Sequence, residues 1–329
     1  MIVDLHSDLL LDVYDRRVAG ERNVVVRRHL PVLGRAGVGV QVLAVYCSTQ
    51  QVGEGALRHA IRLVDAAHRD ADESDGAFRI VTNRRELDDA IAAGAFAGVL
   101  GLEGAEPLGR DTELIDAFWR LGVRVVGLTW NRANDVADGC GEDRGIGITP
   151  LGWQLLDDTA QRRMIVDVSH LTARATSQVL DRYPGAVMAS HSNASAVYAH
   201  RRNLDDGLLA RIGQRRGVVG LNFVPSFIGP DDPITGLAAH WQHIRRVAGA
   251  DAVAVGADFV AFLPDGPAEP EALTARQPGA AASVERPEPD RETSYRRLAE
   301  VVADPDAVLG ANALRFLRDA LDDPVSASR

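Results

Sequence analysis

Residues 2–8 read IVDLHSD, and the reading of this stretch decides the fold assigned to the rest of the chain. Ile2, Val3 and Leu5 favour a strand, in which successive side chains point to opposite faces, so His6 and Asp8 share one face with Asp4. An imidazole and a carboxylate at a strand end can grip a divalent metal or form a simple hydrogen-bonded pair. A doubly wound dinucleotide fold would place a glycine-rich loop after its first strand, where this chain has HSD.

Seven further runs of the same kind follow: VGVQVLAVY, FAGVLGLEG, VRVVGLTWN, MIVDVSH, AVMASHS, GVVGLNF and AVAVGADF. Most are separated by helical segments such as GALRHAIRLVDAAH, LIDAFWRLG, PLGWQLLDDTAQRR and DDGLLARIGQRR. Near-continuous apolar character suits strands buried on both faces. Eight such strands alternating with helices predict an α/β fold, a closed (β/α)8 TIM barrel. Such barrels run as one domain at this length of 329 residues.

Polar residues gather at the C-terminal ends of these strands: His6 and Asp8, Glu103, His170, His191 and Asp258. Barrel enzymes place their catalytic residues on that rim. Each residue has an ordinary alternative on its own: a turn histidine, a loop charge, a neighbour of a helix cap. Six independent coincidences on one rim are a different matter. His29, His59, His68, His200, His240 and His243 lie away from the rim. His59 and His68 read as helix-surface residues, while His240 and His243, three apart on a helix, have a spacing that could bind metal but read rather as support behind the ligands or as structural residues.

Three imidazoles and three carboxylates exceed the needs of one tetrahedral zinc and suit two divalent ions sharing a carboxylate. Glu103 is long enough to bridge, with His6 and Asp8 completing one ion and His170 and His191 the other. Imidazole-rich sites favour zinc, with manganese and iron as alternatives. Water between two such ions becomes a nucleophile for a carbonyl carbon, and Asp258 can carry its proton to the leaving group.

Composition narrows the partners. The net charge of −10 and pI near 5.4 argue against nucleic acid and against anionic membranes. No apolar stretch reaches the roughly 18 residues of a membrane span. No signal-peptide pattern precedes the first strand, and Cys47 and Cys140 are too few for a disulfide framework, so a cytoplasmic location is expected.

With these residues in view, the chain resembles the renal (membrane) dipeptidase family of zinc peptidases, in its bacterial branch, among the amidohydrolase-like barrels. The resemblance runs from VDLHSD to VLGANALRFL. Its most specific block is SHSNASAVYAHRRNLDD, with GLEG, DVSH and VGADF in the expected order. It implies two Zn2+ per subunit, held by His6, Asp8, Glu103, His170 and His191, with Glu103 bridging. Arg202 would hold the substrate's terminal carboxylate and Asp258 would handle the proton. The implied activity is hydrolysis of small dipeptides with a free C-terminal carboxylate, including a D-residue at that position, and a homodimer is implied as well.

Two positions depart from the family pattern. Trp130, in GLTWN, stands where a histidine contacts the substrate in the best-known members, and reads as pocket wall, with Asn131 or Asn134 supplying polar contact. Val260 stands where a second acidic residue is usual. A Pro-, Ala- and Glu-rich insertion at about 263–292 reads as a mobile surface excursion or a lid over the pocket. Two other readings stay open: a metal-dependent amidohydrolase or lactonase acting on another substrate, and a non-catalytic binding protein on the same scaffold. Arg202 favours the dipeptidase, because a neutral substrate would not need it.

Overall fold

The structure, a computed structural model, describes residues 1–48, 51, 53–230, 232–263 and 290–322. The insertion expected at 263–292 lies, apart from its ends, outside these residues. Among the described residues nine strands form one parallel sheet: β1 (Ile2–Ser7), β2 (Val38–Tyr46), β3 (Phe78–Ile80), β4 (Phe96–Glu103), β5 (Val123–Gly127), β6 (Ile165–Asp167), β7 (Val187–Met188), β8 (Val219–Leu221) and β9 (Val253–Val255). Their order is β7-β6-β5-β4-β2-β1-β9-β8. A parallel bridge between Ala189 and Val219 joins the two ends, with Ala189 N donating to Val218 O and Gly220 N to Ala189 O. The eight expected strands thus form a (β/α)8 barrel.

β3 is the strand absent from the sequence-based expectation. It is only three residues long, and it pairs with Phe96–Gly98 of β4, below the point at Leu100 where β5 takes over that edge. A run this short carries no periodicity to read.

Helices 54–72, 114–120, 150–161 and 206–214 correspond to the four segments read as helical. Several begin where a side chain meets an otherwise unpaired N–H. Thr149 accepts from Gly152 N, Thr172 from Ala175 N and Asp205 from Leu208 N. Strand residues fill two layers. Val3, Leu5, Val40, Val42, Ala97, Val99, Val125, Ile165, Met188 and Ala254 pack inside the barrel, floored by Phe316 and Leu317 of the helix at 312–320. Leu43, Val45, Leu100, Leu102, Val126 and Val166 pack beneath the surrounding helices.

The first strand breaks the simple alternation. Asp4 pairs with Gln41, but Ser7 pairs with Leu43, so β1 carries one extra residue between these points. Such a bulge reverses which face later side chains take. His6 therefore turns to the inner rim while Asp4 stays beneath the helices, which corrects the expectation that Asp4 shares their face. Buried Asp4 accepts from Ala257 N, from Gln41 Nε2 and from the Tyr295 hydroxyl, so it ties β1 to its surroundings.

Candidate metal centre

Because all strands run parallel, their C-terminal ends share one rim, and each site residue sits at or just past such an end. Glu103 closes β4, and Asp8 is the residue before the helix at 9–18. His170, His191 and Asp258 lie three residues beyond β6, β7 and β9. His170 and Asp258 adopt left-handed backbone, with φ of 69° and 60°. That conformation is costly for residues other than glycine and persists where surrounding contacts enforce it.

All six side chains converge. His6 Nε2 lies 3.5 Å from Glu103 Oε2, 3.6 Å from Asp8 Oδ2 and 3.7 Å from Asp258 Oδ1. The other Glu103 oxygen, Oε1, lies 3.1 Å from His170 Nε2 and 3.8 Å from His191 Nε2. One carboxylate therefore faces two ligand groups, one with each oxygen. Donor atoms of His6, Asp8 and Asp258 lie within 4.8 Å of one another, as do those of His6, Glu103 and His191.

The residues fit divalent cations on their hydrogen bonding alone. His6 Nε2 is buried and has no hydrogen-bond partner among the described residues, which is rare for a buried ring nitrogen. His170 Nδ1 meets Asn131 Oδ1 at 2.8 Å, and His191 Nδ1 meets Ser190 Oγ at 2.6 Å. Those contacts put the ring protons on Nδ1 and leave lone pairs on both Nε2 atoms. The two Nε2 atoms then stand 2.8 Å apart, facing a carboxylate oxygen. A cation resolves that arrangement.

Electrostatics agree. Burial lifts Glu103 well above the usual carboxylate range, helped by Asp8 and Asp258 and opposed by His6 and Arg202. Burial likewise raises Asp258, to about 6, with Asp8 adding and His6, Arg202 and an Asn222 hydrogen bond opposing. Burial disfavours a charged His6, but Glu103, Asp8 and Asp258 outweigh it and lift His6 well above its ordinary value. Burial and neighbouring cations push His170 and His191 well below theirs, which keeps both imidazoles neutral as ligands must be.

Arg202 is buried beside this cluster. Its Nη2 donates to His191 O at 3.1 Å and lies 3.2 Å from His170 Nε2. No carboxylate lies within ion-pair distance of it among the described residues. It borders a cavity of about 550 Å3 whose walls include His170, Cys140, Ser192 and Arg201. The Trp130 ring stands 5.8 Å from His170 and 5.3 Å from Tyr46, forming an aromatic wall.

Asn131 and Asn134 do other work than the polar substrate contact considered from sequence. Asn131 Oδ1 is taken by His170 and by the Cys140 thiol. Asn134 braces its own loop, donating to Leu128 O and Glu106 and accepting from Val136 N and Ala137 N. The role of Asn131 had no signal in the sequence, since 39 residues separate it from His170. His240 is structural as expected, accepting from Ala194 N and meeting Ile228 O, and His243 pairs with Asp206. Val260 leaves the position after Phe259 without a carboxylate. No helix among the described residues is long and apolar enough to cross a membrane.

Comparison with known proteins places these features. The sequence model of the membrane dipeptidase family, Peptidase family M19, matches residues 1–274. An uncharacterized protein of Acinetobacter calcoaceticus is 33% identical over 174 residues, covering 51% of this chain and 55% of its own length. The chain thus spans little more than half of that relative. An uncharacterized dipeptidase of Schizosaccharomyces pombe is 28% identical over 285 residues, covering 78% of this chain and 69% of its own length. Among solved structures, a metallopeptidase from Rhodobacter sphaeroides, liganded with a phosphinate mimic of the dipeptide L-Ala-D-Ala, superposes with a TM-score of 0.79. It is 23% identical, over 96% of this chain and 98% of that one. The dipeptidase AC, described as a metallopeptidase of family M19, gives a TM-score of 0.80 at 24% identity, over 98% and 99% of the two chains. The chain belongs to the membrane dipeptidase family, Peptidase family M19, a family of metallopeptidases.

Proposed function

We propose that the protein is a binuclear zinc dipeptidase that hydrolyses the single peptide bond of small dipeptides carrying a free C-terminal carboxylate, L-L and L-D alike. The observation that carries this reading is Glu103, whose two oxygens face separate ligand groups beside a buried guanidinium that no carboxylate pairs among the described residues. His6 and Asp8 would hold one ion, His170 and His191 the other, with Glu103 shared. Two divalent ions so held would supply an acidified water and polarise the scissile carbonyl.

The chain's own residues do the rest. Arg202 receives the terminal carboxylate, for which a guanidinium fork is well shaped. Asp258, 3.7 Å from His6 and fixed by the Asn222 amide at 3.0 Å, takes a proton from the attacking water and passes it to the departing amine. Trp130 and Tyr46 wall the pocket and limit the side chains admitted. The bound L-Ala-D-Ala mimic in the Rhodobacter structure supports acceptance of a D-residue at the C-terminal position.

The test is hydrolysis of a panel of L-L and L-D dipeptides, followed by amine release, with zinc-loaded and chelated protein. Chelator-sensitive cleavage is expected for both series. Bound zinc without cleavage of any dipeptide would move the reading to another amide or to a lactone.

A further inference from the structure

We infer that Asp167 is the positioning residue for the His170 and His191 half of the metal centre, acting on both imidazoles through the serines that precede them. Asp167 ends β6 and shares the inner face of the barrel with Ile165. Its Oδ1 accepts from Ser169 N at 3.0 Å and from Ser190 N at 2.9 Å, the residues immediately before His170 and His191. Its Oδ2 accepts the Ser190 hydroxyl at 2.5 Å. Ser169 Oγ accepts from His191 N at 3.2 Å. One carboxylate thus sets the backbone of both ligand-bearing turns.

It also sets a tautomer. A hydroxyl has one proton, and Ser190 gives it to Asp167 Oδ2, so Ser190 Oγ can only accept from His191 Nδ1. The imidazole proton stays on Nδ1, and the Nε2 lone pair faces Glu103 and His170. Asp167, Ser169, Ser190 and His191 are all buried, so water does not compete for these bonds. Nor does any basic side chain pair with Asp167 among the described residues. A carboxylate reaching a metal-ligating histidine, here through a hydroxyl, orients the ring and raises its basicity.

The inference rests on the reading of His170 and His191 as metal ligands. Asp167→Asn tests it sharply. An Asn amide would donate to Ser190 Oγ, which would then donate to Nδ1 and drive the ring proton onto Nε2. In the metal-free protein, 15N shifts of His191 should report Nδ1–H for the wild type and Nε2–H for D167N. Zinc competition against a chelator should show one of two ions weakened about a hundredfold in D167N and about tenfold in Ser190→Ala. The other ion should keep its affinity, and the metal-free proteins should melt near the wild type. An unchanged His191 tautomer in D167N overturns the inference, as does equal weakening of both ions with a lowered melting temperature. If Ser190→Ala fails to fold, D167N carries the test alone. A wild type that binds fewer than two ions sinks the metal reading itself; two ions held equally tightly in wild type and both variants sinks only the role of Asp167.

Discussion

The Nε2 atoms of His170 and His191 stand 2.8 Å apart, although 21 residues and a whole β/α unit separate the two histidines. Two neutral acceptors held this close suit a shared cation, and the Arg202 guanidinium already lies 3.2 Å from one of them. The opposite Glu103 oxygen serves His6 in the same way. This division into two groups is open to test one ligand at a time. Asp8→Asn should lose one of two bound ions, counted by atomic emission on dialysed protein. Glu103→Gln should disturb both and lower kcat by about a thousandfold, equivalent to ~4 kcal/mol. Loss of both ions from Asp8→Asn would contradict the division.

Arg202 should matter only to substrates with a free carboxylate. In Arg202→Ala, KM for dipeptides should rise about 10- to 100-fold, the worth of a charge-assisted hydrogen bond of roughly 1.5–3 kcal/mol. Turnover of the corresponding dipeptide amides should not change. Equal losses on acid and amide would assign Arg202 to holding His170 and the His191 carbonyl in place.

His240 makes stability depend on pH. Burial lowers its pKa from 6.5 to about 4, with His243 adding and the hydrogen bond to Ile228 O opposing. Between these values the unfolded chain takes a proton that the folded chain refuses, so stability falls as pH drops from about 6.5 towards 4. A proton on Nδ1 would also evict the Ala194 N–H that it accepts. At 1.36 kcal/mol per pH unit the loss is about 3 kcal/mol. Urea titrations of wild type and His240→Gln across this range should converge at low pH; parallel curves would refute the assignment.

Gly220 and Gly256 flank the carbonyl oxygen of Ser190 so closely that a Cβ on either would overlap it. That carbonyl lies at the seam where β7 and β8 close the barrel, one residue before His191. Gly256→Ala should therefore destabilise by about 2–3 kcal/mol, the scale of core overpacking, and reduce metal retention. Gly34→Ala, in the helix at 30–36 with open space at its Cβ, is the control and should stabilise slightly. A neutral Gly256→Ala would mean that the seam yields.

Much of the barrel was legible locally. In runs such as VRVVG and FAGVLGLE every apolar position is buried because strands in a closed parallel barrel touch core on both faces, and that demand is written into consecutive residues. The convergence of His6, Asp8, Glu103, His170, His191 and Asp258 followed as well, because parallel strands bring their C-terminal ends to one rim whatever the details of packing.

What the amino-acid sequence by itself determined, then, was the barrel, its polar rim and the family to which the chain belongs. Tertiary structure decided what depends on register and on partners distant in the chain. A single extra residue in β1 separates His6 from Asp4, and alternation read from the strand alone cannot see it because the pairing with β2 defines it. Asn131 and Asp167 read as ordinary polar residues until the fold sets one against His170 and the other against Ser190. A hydrogen bond depends on positions within a few tenths of an ångström, and those are fixed only when the whole barrel closes.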